Sequence, residues 1–551
     1  MATGARWAGI DASSFTSRSP WRVATRVVGP GNDAGVTSFP HSIDAYACAA
    51  SVASRAADAP FEEEIPVTAA SAPTSHPRPD VLVIQCDSLP PDLVGAYGDS
   101  HGATPAIDAL AARGAVFDAS CNAPLCTPSR AAMVTGRLAS RLDCYDNAGE
   151  FSAEHPTMAH AFGALGYRTA IIGKMHFLGH DQHHGFDERL ALDTDYSTGY
   201  DPRLYALAYD WDRPSGGNPN SPDMMGESYL AAESSSAYRE RFRPGLHDER
   251  DARIHAQALA YLGRDRTEPF LAIASYHAPH NPFWAPDDDV ARFDGAFPCL
   301  RAEVVAEAGI MDRWLNDFHY VPQVQERLMD AANLRWMYAT VYAMLHELDR
   351  RVGELLEALP HPERTVVVFV SDHGDMLGDR GMLQKRTFYE RSVRVPLIVS
   401  GPGIAEGVRC ATPVSLVDLF PTLAGLVGAP LPADLDGVDV GAALAGGDAS
   451  QHPVVSEYHG EGVHAPCFLL REGDVKYVLV HGFEERLYDL AADPGERADL
   501  AGSPEHAALL TRMRADLRRL VDPDDVARRA RASQRRRGYI HRAVVGSAAS
   551  G

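Results

Sequence analysis

No stretch of this chain reaches the roughly 18 to 20 consecutive apolar residues that a bilayer-spanning helix needs. The N-terminal region also lacks the compact apolar block of a secretory signal, so the cytoplasm is the expected compartment. The eight cysteines (Cys48, Cys86, Cys121, Cys126, Cys144, Cys299, Cys410 and Cys467) contain no CxxC pair and no Cys/His zinc spacing. A disulfide framework and a zinc finger are therefore not expected. Positive charge is in short supply: 51 Lys and Arg stand against 74 Asp and Glu, a formal charge of -23. Such a field repels phosphate backbones, so nucleic acid is not an expected partner; nor, without a spanning run, is a membrane.

What is present suits a large folded protein. The 551 residues exceed the usual length of one domain, and apolar, charged, Gly and Pro contents sit near globular averages. Residues 1–75 are rich in Ala, Ser, Thr, Gly and Pro without a period of 2 or 3.6, and read as a poorly ordered leader. Its early arginines also fit a transit peptide, or a start codon placed too far upstream. Order begins at Asp80, where VLVIQC ends in Asp87 as a strand buried on both faces would. Three further runs repeat this pattern: Tyr167 to Gly173, Pro269 to Ser275 and Arg364 to Ser371. A helix is expected from Thr104-Pro105, with Thr as N-cap, and another over Asn333 to Leu359.

Strands alternating with helices predict an α/β fold with a large, mostly parallel sheet, here assigned to residues 76–440. Residues 441–551 change texture to a hairpin, CFLLREGDVKYVLVHG, followed by LYDL and two polar helices, which predicts a smaller α+β subdomain. Ligands collect at the carboxyl ends of parallel strands. The polar residues after the apolar runs are Asp87, then Lys174 and His176, then His277 and His280, then Asp372 and His373. Asp87, Asp372 and His373 are oxygen and imidazole donors suited to a divalent cation, although strand-end Asp residues also cap turns. In CTPSRAAMVTGR, Cys126 stands just before a helix whose exposed N–H groups favour anions.

The spacing C-x-P-x-R followed by TG matches the signature at which sulfatases convert cysteine to formylglycine. GKMHFLG, HAPHNPF, SDHGDMLGDRG and QKRTFYE follow in that family's order. The chain thus resembles type I sulfatases of the alkaline phosphatase superfamily over about 80–500, and within them most resembles choline sulfatases. The resemblance implies an alkaline-phosphatase-like sandwich and hydrolysis of a sulfate monoester, with choline O-sulfate the leading substrate. A thiolate attacking sulfur would leave a stable adduct, whereas a hydrated aldehyde has a second hydroxyl that lets sulfate leave.

Residue by residue, the resemblance implies Cys126 as nucleophile after conversion by a formylglycine-generating enzyme, and Arg130 fixing it in its loop. Asp87, Cys126, Asp372 and His373 would hold one divalent cation, Ca2+ or Mn2+. Lys174 and Lys385 would neutralise sulfate oxygens, His176 would act as base, and His280 as acid on the leaving alcohol; His277 is the weaker candidate of the two histidines. Ser88 stands where many sulfatases have a second aspartate, leaving one metal carboxylate missing. Tyr145, Phe283, Trp284 and Tyr389 are candidate aromatic faces for choline, and Asp146, Glu150 and Glu461 candidate anions. The arginine run Arg528 to Arg537 suggests docking on an acidic neighbouring subunit of a homo-oligomer, or a solvated helix face. Two alternatives remain: a phosphonate monoester or phosphodiester hydrolase with the same site, and a non-catalytic binder of sulfated ligands.

Overall fold

The computed structural model describes residues 78–191, 246–294, 308–319, 329–447 and 452–548, all within the second of two compact units, 64–551. The leader expected over 1–75 lies outside them. The larger sheet contains β1 (Asp80–Cys86), β2 (Gly114–Ser120), β3 (Arg168–Gly173), β4 (Glu188–Leu190), β5 (Phe270–Ser275), β6 (Thr365–Ser371), β7 (Arg394–Ser400) and β8 (Val408–Ser415). Their order is β4-β3-β5-β1-β6-β7-β2-β8. Every pairing is parallel except those of β7, which runs antiparallel to β6 and β2.

The four apolar runs thus become the adjacent strands β3, β5, β1 and β6. β1 shows why a continuous run was needed. Val81 and Val83 join one apolar cluster, while Leu82, Ile84 and Cys86 join the other, so period-2 alternation delivers side chains to two cores rather than to core and solvent. The helix expected over Asn333 to Leu359 spans Ala331–Glu357 and is capped by Asp330, whose side chain accepts from the amides of Ala332 and Asn333. The helix Pro105–Ala112 begins as expected, but Thr104 does not cap it through its side chain. Its Oγ1 instead accepts from Gly95 N at 2.9 Å and bonds Asp108 at 3.1 Å.

A second sheet holds β9 (Val454–Tyr458), β10 (Cys467–Glu472), β11 (Val475–Val480) and β12 (Glu484–Asp489), all antiparallel in the order β12-β11-β10-β9. The expected hairpin is β10-β11, and the LYD of LYDL closes β12. Two helices follow, Ala507–Leu520 and a terminal helix Pro523–Ala548. Among the described residues no helix is long and apolar enough to cross a membrane.

Candidate active site

Beyond the carboxyl ends of β1 and β6, backbone pairing continues one residue further, with Asp372 N donating to Cys86 O at 3.3 Å. This places Asp87 and Asp372 side by side, both fully buried. Cys126 is not ahead of its helix, as the sequence suggested, but is the first residue of Cys126–Thr135. Its Sγ lies 3.2 Å from His373 Nε2. Ligating atoms of Asp87, Cys126, Asp372 and His373 all fall within 4.8 Å of one another, so the four expected metal residues converge. His373 Nδ1 donates to Gly374 O at 3.0 Å, which turns Nε2 toward the cluster as a lone-pair donor. Two carboxylates, an imidazole and one further donor suit a divalent cation.

Ser88 does not supply the missing carboxylate's function. Its Oγ donates to Asp87 Oδ1 at 3.0 Å and its N–H to Asp372 Oδ1 at 3.2 Å, so it orients the two aspartates that are present.

Arg130 was expected to fix Cys126 in its loop. Its guanidinium is wholly buried and contacts the metal-type carboxylates rather than the cysteine: Nη2 to Asp87 Oδ2 and Nε to Asp372 Oδ2, both at 2.8 Å. Nη1 donates to Lys174 O at 2.6 Å and Ser275 Oγ at 2.8 Å. One side chain therefore ties the ends of β3, β5, β1 and β6.

Lys174 Nζ stands 2.7 Å from Asp87 Oδ2, and Lys385 Nζ 2.7 Å from His280 Nε2. These are two of only three lysines in the chain, the third being Lys476, and all three are buried. Burial pushes Asp87 up, but Lys174, His280, Arg130 and His373 together outweigh it and hold the carboxyl well below its usual range. Burial, then Asp87 and Cys126 against the pull of Arg130, leaves Asp372 raised. Burial and Asp87 oppose ionisation of Cys126, yet Lys385, Lys174 and His373 bring its thiol well down. Burial, then Lys385, lowers His280 to about 4. His280 Nδ1 meets Asn281 O at 2.5 Å and must donate there, so Nε2 accepts the proton of Lys385.

His176 is buried, and its backbone carbonyl accepts from Thr127 Oγ1 at 2.8 Å. His277 Nδ1 pairs with Asp251 Oδ1 at 3.0 Å. The aromatic candidates diverge. Tyr145 donates to Asp143 at 2.5 Å and packs with the C-terminal helices. Phe283 is core, Tyr389 donates to Asp312 at 2.7 Å, and Trp284 is half-buried. Of the anions, Glu150 is exposed and Asp146 is bound by Arg537. Glu461 Oε2 accepts from Arg386 Nε at 2.8 Å, while Oε1 is buried without a hydrogen-bond partner.

Three residues escaped sequence reasoning. Asn147 Oδ1 accepts from Thr127 N at 3.0 Å, beside Cys126. Asp375 Oδ1 accepts from Gln384 N at 2.9 Å, fixing the loop of Lys385. Ser129 Oγ donates to Asp372 O at 2.6 Å. Asn147 and Asp375 lay inside the segments YDNAGEF and SDHGDMLGDRG that carried the resemblance, but polar residues there had no periodicity to single them out.

The sequence profile of the family described as Sulfatase matches residues 79–429, and that described as N-sulphoglucosamine sulphohydrolase, C-terminal, matches 378–522. The choline-sulfatase of Rhizobium meliloti (strain 1021) is 33% identical over 490 residues, covering 85% of this chain and 91% of that protein. The Delta 4,5-hexuronate-2-O-sulfatase of Bacteroides thetaiotaomicron is 29% identical, covering 81% and 89%. The phosphonate monoester hydrolase of Agrobacterium radiobacter superimposes with a TM-score of 0.63 at 25% identity, covering 80% of this chain and 95% of that one.

Proposed function

Since this chain belongs to the sulfatase family and is a sulfuric ester hydrolase, we propose that it hydrolyses a small sulfate monoester, choline O-sulfate first among them, using formylglycine made from Cys126 and one divalent cation. The observation that carries this reading is the convergence of Cys126 with Asp87, Asp372 and His373 within 4.8 Å. Water adds across the S–O bond, giving the alcohol and inorganic sulfate. A hydrated formylglycine supplies the nucleophilic oxygen and a second hydroxyl for release, and the cation, Ca2+ or Mn2+, supplies positive charge at a sulfate oxygen.

The chain's own residues do the rest. Lys174 and Lys385 neutralise the peripheral sulfate oxygens, where charge is held through in-line transfer. The leaving alcohol takes its proton from the Lys385–His280 pair, in which the ammonium already donates to His280 Nε2. His176 is the base that restores the resting nucleophile. Arg130 holds Asp87 and Asp372, two of the residues that would hold the cation, side by side.

Choline is supported by the 33% identical choline-sulfatase of Rhizobium meliloti and by Glu461. A buried carboxylate oxygen without a hydrogen-bond donor suits a quaternary ammonium, which attracts it without donating. Trp284 and Tyr145 stand as weaker candidates for its aromatic walls. The likeness to the phosphonate monoester hydrolase favours a second reading, since sulfate esters and phosphodiesters carry similar charge and shape. Parallel rates on choline O-sulfate, an aryl sulfate and an aryl phosphodiester decide it. The expected ratio of kcat/KM favours the sulfates, and negligible sulfate turnover would transfer the site to the phosphonate class.

Residues 76–440 would form the catalytic domain and 441–551 a supporting subdomain, in a cytoplasmic homo-oligomer that depends on a formylglycine-generating enzyme. The metal assignment has its own test. Adding Mn2+ or Ca2+ to chelated protein at about 100 times its Kd is expected to stabilise the fold by about 2.7 kcal/mol. Asp87→Asn should abolish that increment in thermal unfolding, and retention of it would remove Asp87 from the cation's ligands.

A further inference from the structure

The terminal helix Pro523–Ala548 carries Arg529 and Arg537, two helical turns apart on one face. Both grip the segment that runs past the nucleophile. Arg529 Nη1 donates to Ser140 O at 2.6 Å, Asp143 Oδ1 at 2.9 Å and Tyr145 Oη at 3.0 Å. Arg537 makes a bidentate pair with Asp146, Nη1 to Oδ1 at 2.8 Å and Nη2 to Oδ2 at 2.7 Å. Asp146 is fully buried and Arg537 is 8% exposed.

Asp146 also accepts from Ala148 N at 2.9 Å, and its carbonyl from Gly149 N at 3.1 Å, which folds the chain tightly over Asn147. From that turn Asn147 Oδ1 receives Thr127 N–H, the amide that follows Cys126. Gly460 also packs closely on Asp146, where a Cβ would lie 2.5 Å from Asp146 Cβ. The turn thus meets both a glycine that leaves no slack and an arginine from the terminal helix. A buried carboxylate is retained only if paired, so Asp146 depends on Arg537.

We propose that Arg537, acting through Asp146 and Asn147, is a positioning residue that sets the placement of Cys126, making the terminal helix a clamp on the catalytic nucleophile. This rests on the hydrolase reading for its kinetic consequence, but not for its geometric one. Small displacements of a reacting group cost rate rather than binding. Arg537→Gln is therefore expected to lower kcat about 10- to 100-fold, per aldehyde-bearing site, with KM within about 2-fold. Arg537→Lys keeps the charge but not the fork and should recover part of the rate. Arg512→Gln is the control. Arg512, on the preceding helix, pairs with Glu472 of β10 and with Asp516, so the change should leave both constants unchanged.

The second readout needs no turnover: the rate at which iodoacetamide alkylates Cys126 in protein made without the formylglycine-generating enzyme. It is expected to rise several-fold in Arg537→Gln and not in Arg512→Gln. If Arg537→Gln fails to accumulate, Arg537→Gln/Asp146→Asn removes both charges together and is read the same way. Unchanged alkylation overturns the clamp, as does an equal rise in Arg512→Gln or a change in KM alone. A wild-type chain that turns over no sulfate ester would defeat the hydrolase reading while the alkylation rates still decide the clamp.

Discussion

A Cys126→Ala chain is expected to fold normally and to hydrolyse sulfate esters at least about 10⁴-fold more slowly than the matured protein. The fold should survive because Cys126 is a small, buried first residue of its helix, so the change removes one sulfur and leaves the helix and its packing. The activity should not, because no other nucleophile stands among the converging groups. Asp87 and Asp372 are held by Arg130, and His373 Nδ1 is bound to Gly374 O, which turns its Nε2 toward the cluster. Mass spectrometry of the tryptic peptide containing Cys126, after co-expression with a formylglycine-generating enzyme, should show the aldehyde in place of the thiol. Full activity with an unmodified thiol would sink the mechanism. Turnover separates the remaining alternative: the enzyme loses its rate in Cys126→Ala while keeping ligand affinity, whereas a binder binds the sulfated ligand in both forms and turns it over in neither.

Cys126, Arg130, His176, His280 and Lys385 were legible through the motif resemblance, and other parts of the site through strand periodicity. Asp87, Lys174, His277 and Asp372 each end an apolar run, and a parallel sheet must bring such ends to one edge. β2, β7 and β8 were not read, because GAVFDAS, RVPLIVS and VRCATPVS are interrupted by polar residues or proline. They lie toward the far side of the sheet, and their absence from the reading cost topology rather than chemistry. The choline candidates fared differently, since aromatic and acidic side chains carry no signal of what they will meet. Asp146 and the arginine run Arg528 to Arg537 were read as two separate features, a candidate anion for choline and a docking surface or solvated helix face. In the structure Asp146 and Arg537 are one buried ion pair, joined across a sequence separation of 391 that no local pattern encodes. Lysine usage was a signal open to inspection. With arginine supplying nearly all positive charge, Lys174 and Lys385 are positions where a compact, three-donor ammonium is used instead.

Arg130→Met is expected to lower the unfolding free energy by about 3–5 kcal/mol, the loss typical of breaking a buried ion pair from one side. The loss comes from what the guanidinium leaves behind. Asp87 and Asp372 have no solvent exposure, and both lean on Arg130, at 2.8 Å each. Lys174 still reaches Asp87 at 2.7 Å, so the unpaired charge would fall on Asp372, already raised by burial and by Asp87. Lys174 O and Ser275 Oγ lose their donor as well. Because these four contacts come from the ends of four adjacent strands, the loss should loosen the edge of the sheet that carries the site and reduce kcat/KM along with stability. Arg130→Lys keeps the charge but cannot reach both carboxylates in a fork, and should fall between the two. A divalent cation held by Asp87 and Asp372 would supply part of the missing charge. The deficit measured by urea unfolding should therefore be smaller with Mn2+ or Ca2+ than with chelator. An Arg130→Met protein as stable as wild type in chelator would show that the guanidinium does not carry the carboxylate pair, and a deficit unaffected by cation would separate Arg130 from the metal site.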